Sequence, residues 1–90
     1  MIPRVYVKVV DQLGQPVPGV VLIFTYANGL QGGGTTPDSG EFGDGGVIGE
    51  CKISITPPAG YGVPALEPNP VSVTVMEGPA LRLQVWLTKL

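Results

Sequence analysis

Glycine and proline interrupt this 90-residue sequence so often that, before its last eleven residues, no stretch holds a helix of average length, about 11–12 residues. Helix is thereby excluded over most of the chain, leaving strand and turn. The apolar pattern agrees. Wherever a period is visible it is two: Val5, Val7 and Val9 alternate with Tyr6, Lys8 and Val10, and Cys51, Ile53 and Ile55 alternate with Lys52, Ser54 and Thr56. The 14 glycines and 10 prolines do not signal disorder, because 43% of the residues are apolar and only 13% are charged.

The alternation parses into about seven strands. The first runs from Arg4 to Asp11 and is broken by DQLGQPVPG. The second, Val20 to Ala27, is apolar at successive positions, the pattern of a central strand covered on both faces, and Asn28-Gly29 supplies the turn after it. Short strands are expected near Gln31–Thr36 and Glu41–Ile48, and a cleanly alternating one at Glu50–Thr56. PPAGYGVPALEPNP, with five prolines, reads as a long surface loop, since proline donates no hydrogen bond to a sheet ladder. Val71–Met76 and Ala80–Lys89 follow, joined by Glu77-Gly78-Pro79. Short strands with turn signals every 8–12 residues or so predict an all-β, two-sheet, immunoglobulin-like sandwich. Ninety residues make one core, so residues 1–90 are expected to form a single domain.

Three runs, VYVKVVDQLGQPVPGVVLIF, TTPDSGEF and PPAGYGV, carry a resemblance over nearly the whole chain. Together they resemble the carboxypeptidase-regulatory-like and Cna-B-like domains, members of the prealbumin-like (transthyretin-like) sandwiches. Each match has a physical reason: Asp11 and Gly14 close a turn, Pro16 and Pro18 stiffen the approach to Gly19, and Ser39-Gly40 turns the chain before Glu41-Phe42. The resemblance implies a scaffold found in bacterial surface proteins, beside enzymes, and in virion and secretion-machine proteins; such a fold does not specify function. It also implies that the first strand and the last two share a sheet. Many Cna-B-like domains join a first-strand lysine to a last-strand asparagine through an isopeptide bond. Lys8 matches the lysine position, but ALRLQVWLTKL contains no asparagine and the aligned catalytic position falls near Ile55, so Lys8 is expected to be an ordinary solvent-facing lysine.

Several chemistries are ruled out by what the sequence lacks. There is no histidine and only one cysteine, which excludes Ser-His-Asp and Cys-His catalysis, His/Cys zinc sites and an intrachain disulfide; no enzyme activity and no cofactor are expected. Cys51 lies in an alternating apolar run and reads as a buried small hydrophobe. GLQGGGTT and GDGGVIGE are glycine-rich but lack the Lys-Ser/Thr of a phosphate loop, and read as loops. Asp38, Glu41 and Asp44 fit no calcium-loop spacing and read as turn and solvated residues. Five Lys/Arg against seven Asp/Glu, a net charge of −2, exclude the basic footprint of a nucleic-acid binder, and no apolar run is long enough to insert into a membrane as a helix.

One residue is out of place. Trp86 falls on the polar face of its strand, with Arg82, Gln84 and Thr88, while Leu81, Leu83, Val85 and Leu87 point the other way. The resemblance brings Tyr6 and Lys8 onto that same outer face, so Tyr6, Lys8, Arg82, Gln84 and Trp86 form the candidate interface. Aromatics with arginine on a flat sheet face match the composition of an interface core; the competing expectation is that loop 57–70 folds over Trp86 within the monomer. The function expected is that of a non-catalytic structural or interaction module built into a virion, a surface filament or a multidomain surface protein, through protein partners or self-assembly. The alternative is a carbohydrate-binding accessory domain, for which one Trp and three Tyr are available. A start at Met1 without a signal-peptide pattern favours a virion or extracellular filament component.

Overall fold

Alternation is realised strand by strand. The computed structural model describes residues 5–45, 47–63 and 69–90. They form nine strands: β1 (Val5–Val10), β2 (Val21–Thr25), β3 (Gln31–Thr35), β4 (Glu41–Asp44), β5 (Gly49–Thr56), β6 (Tyr61–Gly62), β7 (Val71–Val75), β8 (Leu81–Trp86) and β9 (Thr88–Lys89). The described residues contain no helix, hence none long and apolar enough to cross a membrane. A three-stranded sheet, β4-β1-β8, packs against a four-stranded sheet, β3-β2-β5-β7, and β6 pairs with β9 in a small third ladder. The chain is therefore an all-β sandwich.

The core is what the period-two residues put between the sheets. Val5, Val7, Val9, Val85 and Leu87 face Leu22, Phe24, Cys51, Ile53, Ile55 and Val75, all of them buried. β-branched side chains dominate because they suit an extended backbone with little loss of rotamer freedom. Each fully buried Val, Leu, Ile or Phe contributes about 1.5–3 kcal/mol. Phe24 lies 6.3 Å from the ring of Tyr26 and 6.1 Å from that of Phe42, which fills the space over β3. The glycines of β3 leave that space open: a Cβ on Gly34 would sit 2.7 Å from the Phe42 ring.

Several expectations are corrected by the pairing. β2 is covered on one face only, because its other face, carrying Val21 and Ile23 at 40% exposure each, looks outward. Val10, assigned to the outer face, is buried, in register with Trp86 on one side and bridged to Pro16 on the other. The strand expected at Glu41–Ile48 ends at Asp44, whereas the one expected near Gln31–Thr36 forms as β3, so GLQGGGTT is not loop throughout. The proline-rich stretch is not all loop, since Tyr61–Gly62 pairs with Thr88–Lys89; residues 64–68 of that stretch, like Arg4 and Gly46, lie outside the described residues. The first strand and the last two do not share one sheet. β8 runs parallel to β1, whereas β7 pairs antiparallel with β5 in the opposite sheet, so the turn at 76–80 crosses between layers.

The turns that set this topology are pinned by side chains. Asp11 Oδ1 accepts hydrogen bonds from the Leu13 and Gln15 backbone N–H groups, both at 2.9 Å, and the Gly14 N–H donates to the Asp11 carbonyl. The buried Thr36 hydroxyl donates to the Val17 carbonyl at 2.8 Å and accepts from the Val20 N–H at 2.9 Å. Two side-chain amides act as surrogate strand residues. Asn69 accepts from the Ile55 N–H and donates to the Ile55 carbonyl, extending the β5–β7 ladder beyond Val71; Gln12 does the same with Lys89 at the end of the β1–β8 ladder.

Candidate interaction face

The parallel pairing of β1 with β8 is what assembles the five candidate residues. The register sets Tyr6 beside Arg82, Lys8 beside Gln84 and Val10 beside Trp86. In a parallel pair, residues in register share a face, so Tyr6, Lys8, Arg82, Gln84 and Trp86 all stand on the outer side of the three-stranded sheet. β4 completes the face from the other flank, with Glu41 opposite Lys8 and Gly43 opposite Tyr6.

Within this face the charged groups are arranged around the aromatic rings. The Arg82 guanidinium carbon lies 4.3 Å from the centroid of the Tyr6 ring, and Arg82 Nη1 is 3.4 Å from Glu41 Oε2. A cation over an aromatic ring contributes about 0.5–1 kcal/mol at an exposed site, and an exposed ion pair about 0–1 kcal/mol. Neither is large, but together they hold a flexible side chain flat against the sheet. Trp86 remains 43% exposed. Lys8 is exposed on the same side, pointing away from the core.

The carboxylates and the thiol do not form a second site. Alternation sends Glu41 to the outer face, while Asp44 accepts a hydrogen bond from the Tyr26 hydroxyl and Asp38 stays exposed in a turn. No group of three metal-ligating side chains occurs among the described residues. Cys51 is buried in the core; burial pushes its thiol above the ordinary value of 9.0, and the Asp44 carboxylate adds to the shift. A folded state that keeps this proton to higher pH than the unfolded chain loses stability only as pH rises above that ordinary value, not below it. The thiol should accordingly react with a maleimide at the usual rate in urea. In the folded domain labelling should slow by about a thousandfold or more, tracking global opening. Rapid labelling of folded protein at neutral pH would contradict a core position for Cys51.

Sequence reasoning missed Glu41 and Gly43 as members of the outer face, because which strand flanks β1 is a long-range matter. It also missed Tyr26 with Asp44, which meet across two sheets.

The class of structure is a two-sheet sandwich whose first strand lies parallel to a strand near its end, and solved structures of bacterial proteins have a similar fold. The chain is similar to part of the Bacillus anthracis TIE protein, with a TM-score of 0.76 and 21% identity over 96% of this chain and 16% of that one. It is similar to a streptococcal ancillary pilin, with a TM-score of 0.73 and 20% identity over 96% of this chain and 32% of that one. It also resembles the pilus 2b backbone protein of group B streptococcus, with a TM-score of 0.70 and 16% identity over 97% of this chain and 41% of that one. At these identities the likeness is one of fold, and the chain spans less than half the length of each. No family model matches the chain, and no curated protein matches it in sequence.

Proposed function

We propose that this domain is a non-catalytic building block of an extracellular surface filament or multidomain surface protein, and that the outer face of β1 and β8 is where it meets a protein partner. The observation that carries this reading is Trp86, 43% exposed on a sheet face where Arg82 is already stacked on Tyr6. Tryptophan, tyrosine and arginine are the residues most enriched at interface centres, because each buries a large area at small conformational cost. The sandwich architecture supports it: a similar fold occurs in a pilus backbone protein and an ancillary pilin.

Trp86→Ala should therefore weaken association far more than folding. The share of the chain that co-sediments with particles or filaments from its native source is expected to correspond to a loss of about 2 kcal/mol or more in binding. Urea unfolding of the same variant should shift by about 1 kcal/mol or less, since the core residues opposite are untouched. Unchanged binding with a fall of about 3–5 kcal/mol in monomer stability would instead place Trp86 in a satellite core.

A further inference from the structure

The two sheets end on four edge strands, β3 and β7 in one, β4 and β8 in the other. An unpaired edge is a template for another strand, and folded proteins blunt it with charge, proline, irregularity or short length. Three of these edges are blunted. β3 is Gln31, three glycines and Thr35; β4 has four residues, two of them Glu41 and Asp44; β8 carries Arg82. β7 reads Val-Ser-Val-Thr-Val, with no charge, glycine or proline, and among the described residues no strand pairs with its outer side.

The β7 sequence is also close to its own reverse. We propose that β7 pairs antiparallel with β7 of a second copy of this chain, about a two-fold axis at Val73, joining the two four-stranded sheets into one continuous sheet. In that register Val73 faces Val73, Val71 faces Val75 and Ser72 faces Thr74. Val71 and Val73 are only partly buried on the core side, so pairing removes their remaining surface from water. Ser72 and Thr74 are exposed on the other side, where opposed hydroxyls form cross-strand hydrogen bonds. The closed seam adds about four to six backbone hydrogen bonds and, being isologous, consumes both free β7 edges.

The neighbouring strand favours the same register. On β5, Lys52 lies beside Ser72 and Glu50 beside Thr74. Across the joined sheet each outer row then runs from Lys52 through Ser72 to Thr74 and Glu50 of the second copy, opposite charges at its two ends. Sliding the seam by two residues so that Ser72 meets Ser72 puts Lys52 in line with Lys52, and sliding it by two the other way so that Thr74 meets Thr74 puts Glu50 in line with Glu50. At about 14 Å, three strand spacings, this biases register without supplying much affinity. The seam lies on the sheet opposite the Trp86 face, so Trp86→Ala leaves it intact and failure of either reading is visible separately.

The test is sedimentation velocity of the 90-residue chain from about 10 μM to 1 mM, the range in which a small interface half-forms. A species of twice the 9.3 kDa chain mass should grow with concentration. The double substitution Ser72→Lys/Thr74→Lys sets like charges against each other on both sides of the axis and should weaken the dimer by about a hundredfold or more. Ser72→Glu/Thr74→Lys sets opposite charges there, and also opposite to Lys52 and Glu50 on β5, and should keep the dimer. Circular dichroism melts of both variants verify folding. A monomer throughout this range, or a dimer indifferent to the lysine pair, would overturn the proposal, as would equal loss in both folded variants.

Discussion

Replacing Thr36 by valine should lower the stability of the domain by about 2–4 kcal/mol, seen as a lower urea midpoint at unchanged slope. Valine matches threonine in shape, so the substitution leaves the packing and removes only the hydroxyl. That hydroxyl is buried and serves two backbone groups at once, the Val17 carbonyl at 2.8 Å and the Val20 N–H at 2.9 Å. Without it both remain buried and unpaired, each at a cost of about 1–3 kcal/mol. For a domain of this length total stability is roughly 5–13 kcal/mol, so the change is a large fraction of the whole. Thr36→Ser keeps the hydroxyl and should cost about 1 kcal/mol, the value of one buried methyl. Equal loss in the two variants would show that the methyl, not the hydrogen bonds, matters at this position.

Gly40→Ala should be comparably damaging, at about 2–5 kcal/mol, while Gly14→Ala at nearly the same backbone angle should cost about 1–2 kcal/mol. Both glycines have positive φ, +73° and +79° respectively. They differ in surroundings. A Cβ at Gly40 would lie 2.7 Å from the Val9 carbonyl oxygen and 3.1 Å from the Val17 nitrogen, wedged against the 2.9 Å hydrogen bond that joins those two groups; at Gly14 it meets nothing within 4 Å. Gly14→Ala therefore measures the conformational cost alone, and the difference between the variants measures the space at Gly40. Similar urea midpoints for both would mean that the backbone beside Gly40 yields at little cost.

Much of this was legible in advance because alternation is a local property. A residue two positions from a core valine points the same way whatever the strand pairs with, so the inward set on β1, β5 and β8 and the outward set of Tyr6, Lys8, Arg82, Gln84 and Trp86 follow from sequence order. Turn chemistry is local too: Asp11 accepting from residues two and four ahead needs nothing beyond its own loop.

Pairing partners are not local, and that is where tertiary structure decided. The sequence of β7 does not say whether it will lie beside β1 or β5; its antiparallel pairing with β5 sends it to the sheet opposite β8. The apolar residues of β2 do not say which side is covered, and the single layer beneath them leaves Val21 and Ile23 outside. Nor does an amide side chain at Asn69 or Gln12 announce that it will complete a ladder with Ile55 or Lys89, 14 and 77 residues away. The sequence by itself determined that the chain is a β-sandwich and which side chains share a strand face, because these follow from steric and turn preferences of a few neighbouring residues. Only the tertiary structure determined which strands share a sheet, which faces stay exposed and which edge is left open, because those depend on contacts between residues far apart in the chain.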